Sequence, residues 1–271
     1  MTDQPRITLN DGSQMPQLGY GVFQVPPEET TRLVKDAIEL GYEAVDTATF
    51  YRNESGVGKA VGESGRTIFV TTKLWNDDQG YDQALRAFDA SDKALGLDAI
   101  DLYLIHWPKP KLDLYVDSWK ALVRLRDEGR VKTIGVSNFT PAHLERIIHD
   151  TGVVPAVNQI ELHPYFQQVE LRAFHEENKI VTTSWSPLGR GAVLNDPVIA
   201  GIARKHGRTA AQVIIRWHID LGLTVIPKSS SRARQAENLH VFGFSLDADD
   251  MDAIAGLDRP DGRIGPDPDV L

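Results

Sequence analysis

Residues 67–107, TIFVTTKLWNDDQGYDQALRAFDASDKALGLDAIDLYLIHW, contain one full repeat of the pattern that decides the fold. An apolar run rich in β-forming residues at 67–72 is followed by an amphipathic stretch at 82–95, which indicates a helix. A second apolar run follows at 100–105. Two strands separated by a helix favour parallel pairing, so this segment predicts a β–α–β unit.

The same alternation extends over the rest of the chain. The candidate strands are Gly19–Phe23, Glu43–Thr47, Thr67–Thr72, Ile100–Ile105, Thr133–Ser137, Ala156–Ile160, Ile180–Ser184 and Leu223–Pro227. The candidate helices are Pro26–Gly41, Asp82–Leu95, Tyr115–Glu128, Pro141–His149, Val169–Glu177, Thr209–Leu221 and Ser231–Leu239. Eight strands separated by helices predict an α/β fold, a closed (β/α)8 or TIM barrel, which typically needs about 250 residues.

The chain ends and composition favour one domain. At the N-terminus, Ile7–Leu9 and a second short run flank Asn10-Asp11-Gly12, which predicts a β-hairpin. No linker or compositional break divides the 271 residues, so we expect a single barrel domain over residues 1–271. The 41% hydrophobic and 25% charged residues are typical of a soluble globular chain.

Charge and cysteine content exclude several functions. The formal net charge of −9 argues against a general nucleic-acid or anionic-membrane binder, so an anionic ligand needs a local basic cluster. The absence of cysteine excludes cysteine nucleophiles, cysteine-ligated metals and disulfides. The N-terminus does not have the pattern of a signal peptide, and no apolar run approaches the roughly 18 residues of a membrane span. We therefore expect a soluble, cytoplasmic protein.

Polar residues cluster at the ends of three consecutive candidate strands. Asp46 ends the second strand with Tyr51 just beyond it, Lys73 ends the third, and His106 ends the fourth. In a barrel of this type, catalytic residues lie at the carboxyl ends of the strands. An ammonium held by a carboxylate would stabilise a phenolate and lower the tyrosine pKa, while a histidine would orient a substrate oxygen. This group suits protonation of an alkoxide formed from a carbonyl, with the hydride supplied by a cofactor.

These residues and several motifs make the sequence similar to the aldo-keto reductases, in particular to the bacterial 2,5-diketo-D-gluconate reductases. The motifs, found in the same order along nearly the whole chain, are Leu18–Phe23, Val45–Ala48 with Tyr51, Thr72–Trp75, Leu102–Pro108, Gly135–Phe139, Asn158–Pro164, and Ile226–Ser229 leading to Glu237 and Asn238.

The resemblance implies a role for each matching position. The implied catalytic tetrad is Asp46, Tyr51, Lys73 and His106, with Tyr51 as proton donor. The implied cofactor is NADPH, held by Gly21, Val22, Ser137, Asn138, Gln159, Trp185, Ser186, Leu188, Gly189, Ile226, Lys228, Ser229, Ser230, Arg234, Glu237 and Asn238. Within that set, Ser137, Asn138 and Gln159 would hold the nicotinamide carboxamide. Trp185, at a position where most of the family has tyrosine, would stack on the nicotinamide ring. The implied substrate pocket is lined by Phe23, Trp75, His106 and Trp107.

The implied substrates are aldehydes, dicarbonyls or keto-sugars, and the resemblance favours a monomer. Two alternatives stay open. One is a sensor or regulatory module that keeps the cofactor but has little turnover. The other is a glycosidase, which needs two carboxylates and finds only Glu161 as a partner for Asp46. His143 and His149 are not spaced as helical metal ligands, so no metal site is expected.

Overall fold

The computed structural model describes residues 4–271, and its centre is an eight-stranded sheet in which all neighbouring strands are parallel. The strands are β3 (Tyr20–Gly21), β4 (Ala44–Asp46), β5 (Phe69–Leu74), β6 (Ile100–Ile105), β7 (Val131–Ser137), β8 (Val157–Glu161), β9 (Val181–Trp185) and β10 (Thr224–Val225). Each neighbours the next in chain order. The eight predicted strands are confirmed, although β3 and β10 are only two residues long.

Hydrogen bonds between the first and last strands close the sheet into a barrel. Leu18 forms a parallel bridge with Val225, and the Gly19 amide donates to the Val225 carbonyl at 2.9 Å. The Gly21 amide continues this ladder by donating to the Pro227 carbonyl at 3.2 Å. The predicted (β/α)8 barrel is therefore confirmed, and its carboxyl-terminal strand ends share one mouth.

Ten α-helices accompany the strands in residues 4–271. They are α1 (Pro27–Leu40), α2 (Glu54–Gly62), α3 (Tyr81–Leu95), α4 (Tyr115–Asp127), α5 (Pro141–Thr151), α6 (Val169–Glu177), α7 (Pro197–His206), α8 (Ala210–Asp220), α9 (Arg232–Leu239) and α10 (Ala248–Ala255). The seven predicted barrel helices are present within a few residues of their expected bounds. Three helices were not among the candidates. The helix α2 lies between β4 and β5, where the strand–helix alternation calls for a helix, whereas α7 and α10 are additions that the alternation does not require.

The predicted N-terminal hairpin forms the floor of the barrel. Its strands β1 (Arg6–Thr8) and β2 (Gln14–Pro16) pair antiparallel around the Asp-Gly turn. Leu9 and Met15 are buried and pack in one cluster with residues of the barrel strands, including Leu102 and Leu104. The end of the barrel opposite the polar strand ends is therefore filled by apolar side chains, which leaves the other mouth for chemistry.

Candidate active site

The four predicted catalytic residues lie around the carboxyl-terminal mouth. Asp46 ends β4, Lys73 is the penultimate residue of β5, and His106 directly follows β6. Tyr51 lies in a short 3-10 turn, Thr49–Tyr51, in the loop after β4. Three adjacent parallel strands therefore bring side chains that are far apart in the sequence to one place.

An ion pair lies beneath this mouth. The Lys73 ammonium donates to Asp46 Oδ1 at 2.5 Å and to the Thr47 carbonyl at 2.9 Å, and its side chain has no exposed surface. The other Asp46 oxygen accepts a hydrogen bond from Gln159 Nε2 at 2.7 Å. A buried charge is tolerated only when it is paired and hydrogen-bonded, and these contacts meet that requirement.

Tyr51 lies between the ion pair and the open mouth. The Lys73 ammonium is 5.2 Å from the centre of the Tyr51 ring. The His106 ring is 5.7 Å from it, centre to centre, and meets it edge-on at 77°. Phe23 covers another side at 5.1 Å. The phenol is thus held by aromatic neighbours beside a cation and an imidazole.

The electrostatics differ in one respect from the prediction. Burial, together with the negative charge of Asp46, raises the pKa of the Tyr51 hydroxyl well above its ordinary value of 10. The net pKa shift is therefore opposite to the predicted lowering, because burial is its largest cause. Burial, and secondarily Lys73, lowers the pKa of His106 well below 6.5. At neutral pH the site presents a protonated tyrosine and a neutral imidazole.

A second group of polar side chains lines the mouth beside the ion pair. Asn138, in the left-handed region at φ 63°, donates to the Ser137 hydroxyl and to the His106 carbonyl, both at 3.0 Å. Its Oδ1 accepts from Trp185 Nε1 at 2.8 Å. Ser137 Oγ donates to the Gln159 carbonyl at 2.7 Å. The structure therefore joins the residues predicted to bind the nicotinamide end into one hydrogen-bonded network with the catalytic group.

The loop between β10 and α9 carries the predicted phosphate-binding residues. Lys228, Ser230 and Arg234 are exposed, and the Lys228 ammonium donates to Ser230 Oγ at 2.8 Å. The buried Ser229 hydroxyl lies within the loop, where it accepts from the Ser231 amide at 3.1 Å. Neither Lys228 nor Arg234 forms an ion pair with any residue of 4–271, so both cations are available to an anion.

The third cation of this loop is already neutralised. Arg232 pairs with Asp36 and with Glu39, both on α1, the latter at 2.9 Å. Arg232 was not among the residues predicted to bind the phosphate, and its ion pairs connect α9 to α1.

The remaining predicted cofactor residues lie at the end of β3, in the segment after β9 and on α9. At Gly21 an added Cβ would lie 2.9 Å from the Ile226 carbonyl oxygen, so β3 and the end of β10 meet there without room for a side chain. Ser186 and Gly189, after β9, have positive φ values of 48° and 54°. The other members of the set are Val22, Leu188, Glu237, whose carboxylate accepts from Thr209, and the buried Asn238.

Aromatic residues wall the mouth, and one of them was not predicted. Phe23 is 41% exposed at the rim, while Trp107 is buried and its ring lies 6.4 Å from that of Trp185. Trp75 contacts the His106 ring at 5.3 Å. Phe50, missed in the sequence, stacks on Trp75 at 3.9 Å and is 48% exposed. Its position directly before Tyr51 in a loop was the available signal.

The contacts of Glu161 argue against a glycosidase. The Glu161 carboxylate is 2% exposed, and its two oxygens accept from the backbone amides of Ile264 and Gly265. It is therefore not free to act with Asp46 on a sugar. Within residues 4–271 no group of three histidine or acidic side chains could hold a metal ion, and no helix is long and apolar enough to cross a membrane.

A phenol and an imidazole beside a buried ion pair, at the carboxyl mouth of a closed barrel, form an arrangement suited to proton transfer. The Aldo/keto reductase family profile matches residues 15–259. An aldo-keto reductase of Mycolicibacterium smegmatis is 56% identical over 267 residues, which are 97% of each chain. Methylglyoxal reductase DkgA of Salmonella typhimurium is 50% identical over 274 residues, covering 99% of this chain and 98% of that protein.

Solved structures agree with these matches. A mutant of Gox0644 in complex with NADPH superposes with a TM-score of 0.97, at 59% identity and with 99% of both chains covered. This chain belongs to the aldo/keto reductase family.

Proposed function

We propose that this chain is an NADPH-dependent reductase of small carbonyl compounds: aldehydes, dicarbonyls or keto-sugars. The observation that carries the proposal is the packing of Tyr51 against both the Lys73 ammonium and the His106 ring at the mouth. The relatives named above support it, since one is a methylglyoxal reductase and another is solved with NADPH.

Tyr51 is the proton donor in this proposal. When bound, NADPH supplies the hydride that forms the new bond to the carbonyl carbon, and the carbonyl π bond breaks toward oxygen. Tyr51 then gives its proton to that oxygen, which yields the alcohol. Its raised pKa keeps the proton on the phenol at neutral pH until negative charge develops on the substrate.

The neighbours of Tyr51 assist this transfer in different ways. Neutral His106 donates an N–H to the carbonyl oxygen and so orients it toward Tyr51. Lys73 stabilises the tyrosinate left after transfer, because a nearby cation favours the charged phenolate. Asp46 acts through Lys73, whose ammonium it holds at 2.5 Å.

The residues around the mouth fit the cofactor. The carboxamide would be held by Ser137, Asn138 and Gln159, and the nicotinamide ring would lie on Trp185. At Gly21 the backbone of β3 lies so close to Ile226 that no side chain fits between them. Lys228 and Arg234, which carry no ion pair, would bind the 2′-phosphate, since an arginine fork matches phosphate oxygens. The remaining predicted residues would line the pyrophosphate and adenine.

Steady-state oxidation of NADPH with methylglyoxal and a panel of aldehydes and keto-sugars tests the proposal. We expect turnover with NADPH well above that with NADH. Tight NADPH binding without turnover on any carbonyl would instead favour the sensor module. We further propose that the chain works as a single-domain, cytoplasmic protein and, as the family resemblance implies, as a monomer; size-exclusion chromatography with light scattering tests the oligomeric state.

A further inference from the structure

A buried carboxylate at the end of β8 binds the C-terminal tail. Glu161 is 2% exposed, and its Oε1 and Oε2 accept from the amides of Ile264 and Gly265 at 2.6 and 2.7 Å. His163 Nε2 lies 3.1 Å from the same Oε1. The proposed proton transfer to a carbonyl does not involve the Glu161 carboxylate. Hydrogen bonds from two consecutive amides to one carboxylate make a specific anchor for the chain.

The anchored backbone lies against Trp185. A Cβ built on Gly265 would lie 2.5 Å from Trp185 Cη2 and 2.7 Å from Glu161 Oε2, distances too short for any side chain. Glu161 and Trp185 are register partners on the adjacent strands β8 and β9. The indole is therefore held at its Nε1 by Asn138 and at its six-membered ring by the tail.

Other contacts bring the tail to this point but do not replace the anchor. The Arg259 amide donates to the Tyr165 carbonyl at 3.3 Å, and the Arg263 guanidinium lies 4.7 Å from the centre of the Phe166 ring. These contacts involve residues that precede Ile264. The anchor is the contact that fixes Gly265 itself.

We propose that Glu161 is a positioning residue that fixes Trp185 for the nicotinamide by holding the tail backbone at Ile264 and Gly265 against the indole. The inference rests on the proposed function for the role of Trp185. It makes the tail part of the cofactor site, and it explains why position 265 carries no side chain.

Glu161→Gln tests the anchor with a nearly isosteric change. One acceptor oxygen becomes an NH₂ group, so one of the two tail amides loses its bond. We expect faster hydrogen exchange at Ile264 and Gly265. We also expect NADPH affinity and kcat to fall about ten- to a hundredfold, since small misplacements of positioning groups have effects of this size. Glu177→Gln, an exposed change on α6, is the matched control.

Gly265→Ala tests the contact with Trp185 without touching the carboxylate. The added methyl group must displace the indole or the tail, so we expect weaker NADPH binding. Gly256→Ala is the matched control, because its nearest contact would be an ordinary 3.5 Å. Fluorescence titration gives the NADPH dissociation constant for each folded variant.

A double-mutant cycle decides whether Glu161 acts through Trp185. In a Trp185→Ala background, we expect Glu161→Gln to weaken NADPH binding by less than threefold further. Equal losses in both backgrounds, or unchanged affinity in Glu161→Gln and Gly265→Ala, would overturn the positioning role. Failure of the unmodified chain to bind NADPH would overturn the proposed function instead, while hydrogen exchange would still report whether the anchor holds the tail.

Discussion

At the residue scale, Lys73 carries a charge in a place that disfavours it. Burial lowers the pKa of the ammonium, while the charge and hydrogen bond of Asp46 raise it. Removing one partner of a buried pair typically costs about 3–5 kcal/mol, because the other charge is left uncompensated. Keeping the Lys73 ammonium buried beneath Tyr51 therefore lowers the stability of the fold unless Asp46 compensates the charge. The ammonium is thereby held next to the residue on which a tyrosinate would form.

Tyr51→Phe tests the proton donor. The ring and its aromatic contacts remain, so we expect NADPH affinity to stay nearly constant. Turnover should fall by about 10²- to 10⁴-fold, the usual contribution of general acid catalysis. Steady-state kinetics with methylglyoxal, compared with a Tyr81→Phe control on α3, measure this. Turnover close to that of the unmodified chain would assign Tyr51 to packing alone.

Sequence reasoning reached the catalytic residues because they follow strands in a repeating pattern. Asp46, Lys73 and His106 each end an apolar run, and strand ends share a mouth in any closed barrel. The anchor at Glu161 was not predicted, since its partners are backbone amides 103 and 104 residues further along the chain. Backbone donors leave no signature in a sequence.

At the element scale, the segment from β10 to α9 contains neighbouring arginines that differ in their ion pairing. Ser231 caps α9 by accepting from the Arg234 amide, at a long 3.5 Å. The Arg232 side chain pairs with α1, whereas Arg234 makes no ion pair within the described chain. The sequence places both arginines in one basic run, and only the position of α1 separates them.

Arg234→Ala tests whether Arg234 binds the 2′-phosphate of NADPH, with Arg232→Ala as a matched control on the same helix. We expect Arg234→Ala to weaken NADPH binding by on the order of ten- to a hundredfold, because a charge-assisted phosphate contact is lost. NADH binding should change far less. Arg232→Ala should leave the ratio of the two affinities unaltered. Fluorescence titration with both cofactors measures this, and an equal loss for NADH in Arg234→Ala would contradict it.

Element boundaries were predictable where local chemistry sets them. The helix α8 follows Thr209, whose side chain caps it reciprocally with Gln212, as its N-cap type suggests. In contrast, α7 begins at Asp196-Pro197, a recognisable start that the strand–helix rhythm gave no reason to expect. The two-residue β3 and β10 are shorter than their apolar runs, because barrel closure there depends on a few bonds around Leu18 and Gly19.

At the scale of the whole molecule, packing around the barrel buries ionisable groups that the proposed reaction does not use. His175 and His218 are both fully buried, and burial lowers the pKa of each to about 3. Below about pH 6.5 these two histidines bind protons in the unfolded chain but remain neutral in the folded chain. Stability is therefore complete above that pH and declines as the pH falls below it.

His175→Gln tests this linkage. Each buried histidine should reduce the free energy of unfolding by about 1.4 kcal/mol per pH unit below 6.5. Urea unfolding at pH 7.5, 6.5 and 5.5 should give a smaller loss between 6.5 and 5.5 in the variant than in the unmodified chain. His149→Gln, at an exposed position, is the control. Identical losses in the unmodified chain and His175→Gln would show that His175 titrates alike in both states.

The central claim is that a carbonyl compound bound at the barrel mouth is reduced by direct hydride transfer from NADPH to the carbonyl carbon. Reduction of an aldehyde with NADPH deuterated at both C4 positions tests it, with the alcohol examined by NMR. The account predicts one deuterium on the former carbonyl carbon in each alcohol molecule, and loss of product formation in Tyr51→Phe. Alcohol without deuterium at that carbon, or no alcohol from the unmodified chain, would contradict it.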